Sequence, residues 1–149
     1  MEKIKVLVVT ATMNAGGLEN QLMHLLRNAD KEIFQIDFSS KVEESYYRKE
    51  IESLGAKYHV LPEMNKKNIF SYFRTMVRIM KTNKYDVVHS NELFHSGIVL
   101  LAAYFAGVKC RIAHSHSIYD LDDINARKST IRKIYFVWRK RRWLLRLDF

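Results

Sequence analysis

The chain has 149 residues, a formal net charge of +9, and 48% hydrophobic and 28% charged residues, which excludes a disordered chain and is typical of one globular domain. The single cysteine, Cys110, excludes an internal disulfide framework and favours a reducing compartment. The longest uncharged apolar run, residues 98–108, is far shorter than the roughly 20 residues of a transmembrane helix, so we expect a cytosolic protein.

Short apolar runs of strand length alternate with stretches of helical periodicity along the chain. The predicted strands are residues 4–9, 33–38, 57–61, 85–90 and 109–117. The predicted helices are residues 18–29, 42–54, 69–80 and 93–105. Gly55 and Gly107 are placed to end the second and fourth helices. This alternation predicts an α/β fold, a Rossmann-like doubly wound sheet whose strands are mostly parallel.

Two of the predicted helices carry apolar residues at helical spacing, so each should bury one stripe against the sheet. The first stripe consists of Leu18, Leu22, Leu25, Leu26 and Ala29. The second consists of Ile69, Phe73, Met76, Val77 and Met80.

Polar clusters follow three of the predicted strands: TATMNAGG, HSNELFHS and HSHS. Ligands of such sheets bind beyond the carboxyl ends of the strands. Gly16 and Gly17 stand where the first helix begins, and free N–H groups at a helix start favour an anion such as phosphate. Two interpretations stay open: the pair contacts a phosphate, or it only makes a tight turn. Neither a G-x-G-x-x-G fingerprint nor a P-loop is present.

Two stretches, VLVVTATMNAGGLENQLMHLLRN and DVVHSNELFHSGIVLLAAYFAGVKCRIAHSHS, resemble the N-terminal domain of family-4-type GT-B glycosyltransferases. These bacterial enzymes build capsular, exopolysaccharide and lipid-linked glycans. The resemblance covers residues 3–135 and rests on three motifs in register. They are the Gly-Gly-x-Glu start of the first helix and the strand ends DVVHSN and RIAHSHS.

The resemblance implies an enzyme that transfers a sugar from a nucleotide-sugar donor to a glycan or lipid-linked acceptor, with retention of configuration and without a metal or other cofactor. Gly16 and Gly17 would then lie beside the donor diphosphate or its sugar, and His116 would be the catalytic histidine facing the donor sugar. The residues implied on the acceptor side are Asn14, His89 and Asn91. Main-chain N–H groups can stabilise a departing diphosphate, and a histidine can donate a proton near neutral pH.

Other polar residues have simpler explanations. We expect His114 to be a structural, hydrogen-bonded histidine, because strand alternation turns it away from His116. His95 should be a surface or capping group in the first turn of a helix. Asp120-Leu121-Asp122 matches the metal-binding D-x-D of another glycosyltransferase class, but its acidic surroundings favour a solvated loop. No metal site is predicted.

The basic charge is concentrated in the tail. Residues 127–149 contain nine Lys or Arg and one acidic residue. Residues 1–126 contain 16 Lys or Arg and 15 acidic residues. The centre of the tail reads Trp138, Arg139, Lys140, Arg141, Arg142 and Trp143. Such residues favour contact with an anionic membrane surface, here the inner face of the cell membrane, and packing of a terminal helix is the alternative. Nucleic-acid binding is disfavoured because the rest of the chain is nearly neutral.

Two parts are therefore predicted: an acceptor-side Rossmann-like domain in residues 1–125 and the basic aromatic tail in residues 126–149. The donor-binding half of the family is missing from this sequence, so we expect negligible transferase activity from this polypeptide alone. Three functions stay open. The chain is a part of a glycosyltransferase, a subunit of a split glycosyltransferase with a separate donor-binding polypeptide, or a non-enzymatic α/β module that recognises a glycan or a lipid phosphate.

Overall fold

A computed structural model describes residues 2–65 and 67–115, in which five strands form one sheet with helices on both faces. The strands are β1 (Ile4–Val9), β2 (Phe34–Ser40), β3 (Tyr58–Val60), β4 (Val87–Ser90) and β5 (Cys110–Ala113). The helices are α1 (Gly17–Asn28), α2 (Arg48–Ser53), α3 (Ile69–Asn83) and α4 (Ser96–Ala106), and a 3-10 turn (Leu93–His95) precedes α4. The strand order is β3-β2-β1-β4-β5, and every pair is parallel. The predicted doubly wound α/β class is confirmed.

The central strand β1 is buried on both of its faces, as its continuous aliphatic sequence predicts. Val8 packs into a core formed with α1 and α2, which includes Met23 and Ile51. The neighbouring side chains Leu7 and Val9 point to the other face and pack with α3 and α4. The sheet therefore separates two hydrophobic cores.

The buried stripe of α1 differs from the predicted one at two positions. The helix buries Leu22, Met23 and Leu26, so Met23 joins the stripe, whereas the predicted Leu25 is 46% exposed. The stripe is centred between Leu22 and Met23, which turns Leu25 toward solvent. In α3, Met76 and Met80 are buried as predicted. The predicted Ile69 is 39% exposed, and Tyr72, which the prediction omitted, is buried.

The second helix is much shorter than its charge pattern predicts, because the residues before it bond to another part of the chain. The main-chain N–H of Tyr46 donates to Asn14 Oδ1 (3.1 Å), and that of Tyr47 donates to the Met13 carbonyl (3.0 Å). These amides cannot also make helical bonds, so α2 begins only at Arg48. The predicted fourth helix likewise begins with the 3-10 turn, and β5 ends at Ala113.

A buried carboxylate on β2 joins three parts of the sheet. Asp37 accepts hydrogen bonds from the Tyr85 hydroxyl (2.6 Å), Gln35 Nε2 (3.1 Å) and the main-chain N–H of Lys57 (2.8 Å). His59 Nε2 lies 2.9 Å from the Tyr85 hydroxyl. Burial raises the pKa of Tyr85 and lowers the pKa of His59, so both stay uncharged near neutral pH.

Candidate functional site

The order in which the strands are added to the sheet reverses at β1. The strands β2 and β3 lie on one side of β1, and β4 and β5 lie on the other. The loops that follow β1 and β4 therefore diverge from a shared starting point at the carboxyl edge. The main-chain N–H of Asn91, just after β4, donates to the Val9 carbonyl at the end of β1 (2.8 Å). In open α/β sheets this switch point is where ligands bind.

The loop between β1 and α1 is held in place by short polar contacts. The Thr10 hydroxyl donates to the Thr12 carbonyl (3.2 Å), and the Asn14 N–H donates to Thr12 Oγ1 (3.1 Å). The Asn14 side chain in turn accepts the bond from Tyr46 described above. Asn14 is exposed at the site and also anchors the residues before α2.

Neither glycine of the Gly16–Gly17 pair is required by backbone conformation. Gly16 is extended, with φ −163° and ψ 169°, which any residue adopts. Gly17 is the first residue of α1 and has no positive φ. Among the described residues, a Cβ on Gly17 would meet no atom within 4 Å, so packing within this part of the chain does not require glycine there either. The tight-turn explanation thus finds no support in the geometry.

The start of α1 is an anion-compatible position. In the part of the chain that the structure describes, no side chain caps this helix, so main-chain N–H groups of its first turn point out of its end. The Glu19 carboxylate lies where a Cβ on Gly16 would be. Its charge complements the helix dipole, and an anionic ligand close to Gly16 would have to displace it.

The polar residues that end β4 and β5 meet side by side. His89 Nε2 and His114 Nδ1 are 3.2 Å apart, and the two rings are stacked with an interplanar angle of 16°. Asn91 is 6% exposed, and its Nδ2 lies 3.4 Å from the His89 carbonyl. The prediction that His114 is hydrogen-bonded is confirmed, while His95 lies in the 3-10 turn with its side chain 53% exposed.

A buried ion pair joins the ends of β2 and β4. Lys41 Nζ lies 2.9 Å from Glu92 Oε2, and the Glu92 side chain is only 1% exposed. The Tyr72 hydroxyl on α3 also points at this oxygen (3.5 Å), and burial followed by the charge of Glu92 raises the pKa of Tyr72. The pair fixes the position of the loop that carries Asn91.

Unusual features accompany this ion pair. Among the described residues, the buried side-chain atoms without a hydrogen-bond partner are Ser39 Oγ and Glu92 Oε1. Leu93, the next residue, has a left-handed backbone with φ 46°. Unsatisfied polar atoms and left-handed non-glycine residues are costly and concentrate at functional sites.

The structure places five predicted site residues at the carboxyl edge of the sheet: Asn14, Gly16, Gly17, His89 and Asn91. His116 and the tail residues 138–143 lie outside the described residues. Sequence reasoning missed Lys41 and Glu92. The signal for Glu92 was present, since it belongs to the polar cluster after β4, but nothing in the sequence pairs it with Lys41.

A second concave region lies at the opposite edge of the sheet. A cavity of about 340 Å³ lined by Leu26, Phe34 and Leu54 lies at the amino end of β2, away from the polar loops. Within residues 2–65 and 67–115 no group of three His, Cys, Asp or Glu side chains could hold a metal ion. No helix in this part of the chain is both long and apolar enough to cross a bilayer.

Sequence comparison matches this chain to glycosyltransferases. The family model described as Glycosyltransferase Family 4 matches residues 15–148. The chain is 36% identical over 115 residues to EpsF of Bacillus subtilis (strain 168), which is named as a glycosyltransferase. It is 31% identical over 117 residues to CapH of Staphylococcus aureus, named as a capsular polysaccharide biosynthesis glycosyltransferase. These matches cover 76% and 78% of this chain but 30% and 32% of the relatives. The chain therefore spans about a third of their length.

Two solved structures share the fold. Acinetobacter baumannii MurG superposes with a TM-score of 0.59 and 13% identity, over 87% of this chain and 40% of that one. The lipopolysaccharide outer core galactosyltransferase WaaB, in its apo form, gives a TM-score of 0.53 and 18% identity, over 79% and 34%. The expected Rossmann-like α/β fold is confirmed, and the chain covers less than half of each of these structures.

Proposed function

Because this chain belongs to Glycosyltransferase Family 4, we propose that it forms the acceptor-side half of an enzyme that transfers a sugar from a nucleotide-sugar to a glycan or lipid-linked acceptor. The names of EpsF and CapH support glycosyl transfer, and that of CapH supports a place in capsular polysaccharide synthesis. The reaction would take place in the cytosol or on the inner face of the cell membrane, where the basic tail would make contact.

One observation carries this proposal: the bare main chain at Gly17. The glycine stands at the switch point of the sheet, at the start of a helix, and neither its conformation nor its packing excludes a side chain. A ligand that approaches the main chain closely would exclude one. A diphosphate is the chemical group that the N–H groups of a helix start would attract.

The proposed roles of the residues follow from their places. Gly16 and Gly17 present N–H groups to the departing diphosphate and stabilise its developing charge without a metal. His89, Asn91 and Asn14 line the acceptor side, and Asn14 also holds the loop between β1 and α1 in position. His116, outside the described residues, faces the donor sugar, and transfer retains the anomeric configuration, as the family resemblance implies.

The chain spans about a third of its curated relatives, so the donor-binding half is proposed to lie in additional sequence or in a separate polypeptide. An assay of the chain alone, and of the chain joined to the part of EpsF beyond the matched region, tests this. The readout is acceptor-dependent release of nucleoside diphosphate from a panel of sugar nucleotides.

The joined protein should release nucleoside diphosphate steadily, and the chain alone should release almost none. Steady release by the chain alone would contradict the half-enzyme proposal. Glycan binding by a joined protein that never turns over would instead support the non-enzymatic module.

A further inference from the structure

The loop between β2 and α2 carries an exposed aromatic side chain next to the candidate site. Tyr46 lies two positions before α2, at the carboxyl edge of the sheet, and is 72% exposed. Its main-chain N–H donates to Asn14 Oδ1 (3.1 Å), and Asn14 lies two positions before Gly16. This bond joins Tyr46 to the loop between β1 and α1, which carries the glycine pair.

The main chain on both sides of this aromatic residue is fixed. The Met13 N–H donates to Ser45 Oγ (3.4 Å), and the Tyr47 N–H donates to the Met13 carbonyl (3.0 Å). Ser45 Oγ also lies 2.8 Å from the Tyr58 hydroxyl, and this hydroxyl donates to the Val42 carbonyl (2.7 Å). A segment that is already held in this way loses little conformational entropy when it binds a ligand.

The Tyr46 ring itself is supported by a buried neighbour. It meets the Tyr47 ring edge to face, with 4.8 Å between the ring centroids and an interplanar angle of 89°. Tyr47 is only 8% exposed, and its hydroxyl donates to the Asn20 side chain. The Arg27 guanidinium lies 6.0 Å from the centre of the Tyr47 ring. The contact with Tyr47 therefore restricts the Tyr46 ring, while most of Tyr46 stays open to solvent.

The surroundings of Tyr46 are polar and acidic. Within residues 41–48 no other large apolar side chain is exposed, whereas Glu43 and Glu44 are. Residues 12–55, which include α1 and α2, hold five Lys or Arg and eight acidic residues. Asn14 uses Oδ1 to accept the Tyr46 N–H, so Nδ2 is the atom of its amide that can donate to a ligand.

These features select among the ligands that an exposed aromatic ring can bind. A protein partner uses a contiguous apolar patch, which this segment lacks. A nucleic acid could stack its bases on the ring, but the acidic side chains would repel its phosphates. A pyranose ring is uncharged, and its C–H groups pack on the negative face of an aromatic ring. Its hydroxyl groups bond to amides and carboxylates. A sugar therefore matches both the ring and its surroundings.

We propose that Tyr46 is a stacking platform for a sugar ring of the acceptor, with Asn14 as a hydrogen-bond donor to the hydroxyl groups of that sugar. This step rests on the proposed function and defines the acceptor more closely, since the acceptor then carries at least one sugar when it enters the site. A bare lipid phosphate has no ring to place on Tyr46. The enzyme therefore extends a glycan, and the preceding reaction must be one that attaches a sugar to the carrier.

Binding of simple glycosides to the full chain tests the platform without a donor and without transfer. The probes are the methyl glycosides of glucose, galactose and N-acetylglucosamine, and saturation-transfer difference NMR titrations give their dissociation constants. At least one probe should bind. Tyr46→Ser should raise its dissociation constant by at least about fivefold, because the contact with the ring is lost. Tyr46→Phe keeps the ring and should bind within about twofold of the unaltered chain.

A matched control lies on the opposite side of the sheet. Tyr104 on α4 is 64% exposed, so Tyr104→Ser removes a ring of the same type and of similar exposure. This variant should bind the probes as the unaltered chain does. Asn14→Asp keeps an oxygen for the Tyr46 N–H but removes the amide donor, so it should weaken binding. Unchanged binding in Asn14→Asp would overturn the role of Asn14.

Three results would overturn the platform: no binding of any probe, unchanged binding in Tyr46→Ser, or equal loss in Tyr104→Ser. These results are separable from those of the transferase assay. If the joined protein transfers sugar while probe binding is insensitive to Tyr46, the platform is wrong and the proposed function stands. If probe binding depends on Tyr46 in a joined protein that never transfers, the proposed function is wrong and the sugar site stands.

Discussion

At the scale of single residues, Gly17 occupies a helical position that other residues could take. Gly17→Ala should keep the fold and raise the free energy of unfolding by up to about 1 kcal/mol, since alanine is the better helix former. Unfolding in urea measures this change. Gly97→Ala, in the first turn of α4 and with equally open surroundings, is the matched control and should shift stability in the same direction. A loss of stability at Gly17 alone would show that packing requires the glycine.

The Lys41–Glu92 pair makes a second residue-level prediction. Lys41→Met leaves the Glu92 carboxylate buried without its cation and should cost about 3–5 kcal/mol of unfolding free energy. Removing the charge as well, in Lys41→Met with Glu92→Gln, should recover a large part of that loss. A double-mutant cycle from urea unfolding measures the coupling. Simple addition of the two single losses would mean that the side chains do not interact.

At the scale of elements, His59 ties β3 to Tyr85, which stands just before β4, and its burial makes stability depend on pH. The pKa of His59 is lowered from its ordinary value of 6.5 in the folded chain. Below this value the unfolded chain takes up a proton that the folded chain does not, so the unfolding free energy should fall as the pH drops through 6.5. It should continue to fall until the pKa of the folded state is reached.

His59→Gln should remove this part of the pH dependence. Urea unfolding at a series of pH values compares the variant with the unaltered chain. His24→Gln, which removes an exposed imidazole on α1, is the control. A pH dependence that is unchanged in His59→Gln would show that other groups produce it.

The order of strands and helices was predictable because each has its own period in the sequence, and glycine marks two of the helix ends. Gly55 and Gly107 both have the positive φ that such ends use, 85° and 83°. The start of α2 was not predictable. The two main-chain amides just before the helix bond to Met13 and Asn14, more than 30 positions earlier in the chain. A local sequence pattern cannot reveal bonds between such distant residues.

At the scale of the whole molecule, the location of the candidate site was predictable, since parallel strands bring their carboxyl ends to one edge. The sequence therefore placed Gly16, Gly17 and Asn91 together. The Lys41–Glu92 ion pair could not be predicted from the sequence, because the two residues are 51 positions apart. They come together only through the order of β2, β1 and β4 in the sheet.

The central claim is that a donor diphosphate approaches the main chain at Gly17. The most direct test compares Gly17→Ala with Gly97→Ala in the chain joined to the remaining part of EpsF, with sugar transfer as the readout. The account predicts that Gly17→Ala folds at least as stably as the unaltered protein yet loses transfer by at least about tenfold, since a methyl group would push the diphosphate from the N–H groups that stabilise it. Gly97→Ala should transfer normally. Full activity in a correctly folded Gly17→Ala protein would contradict the account.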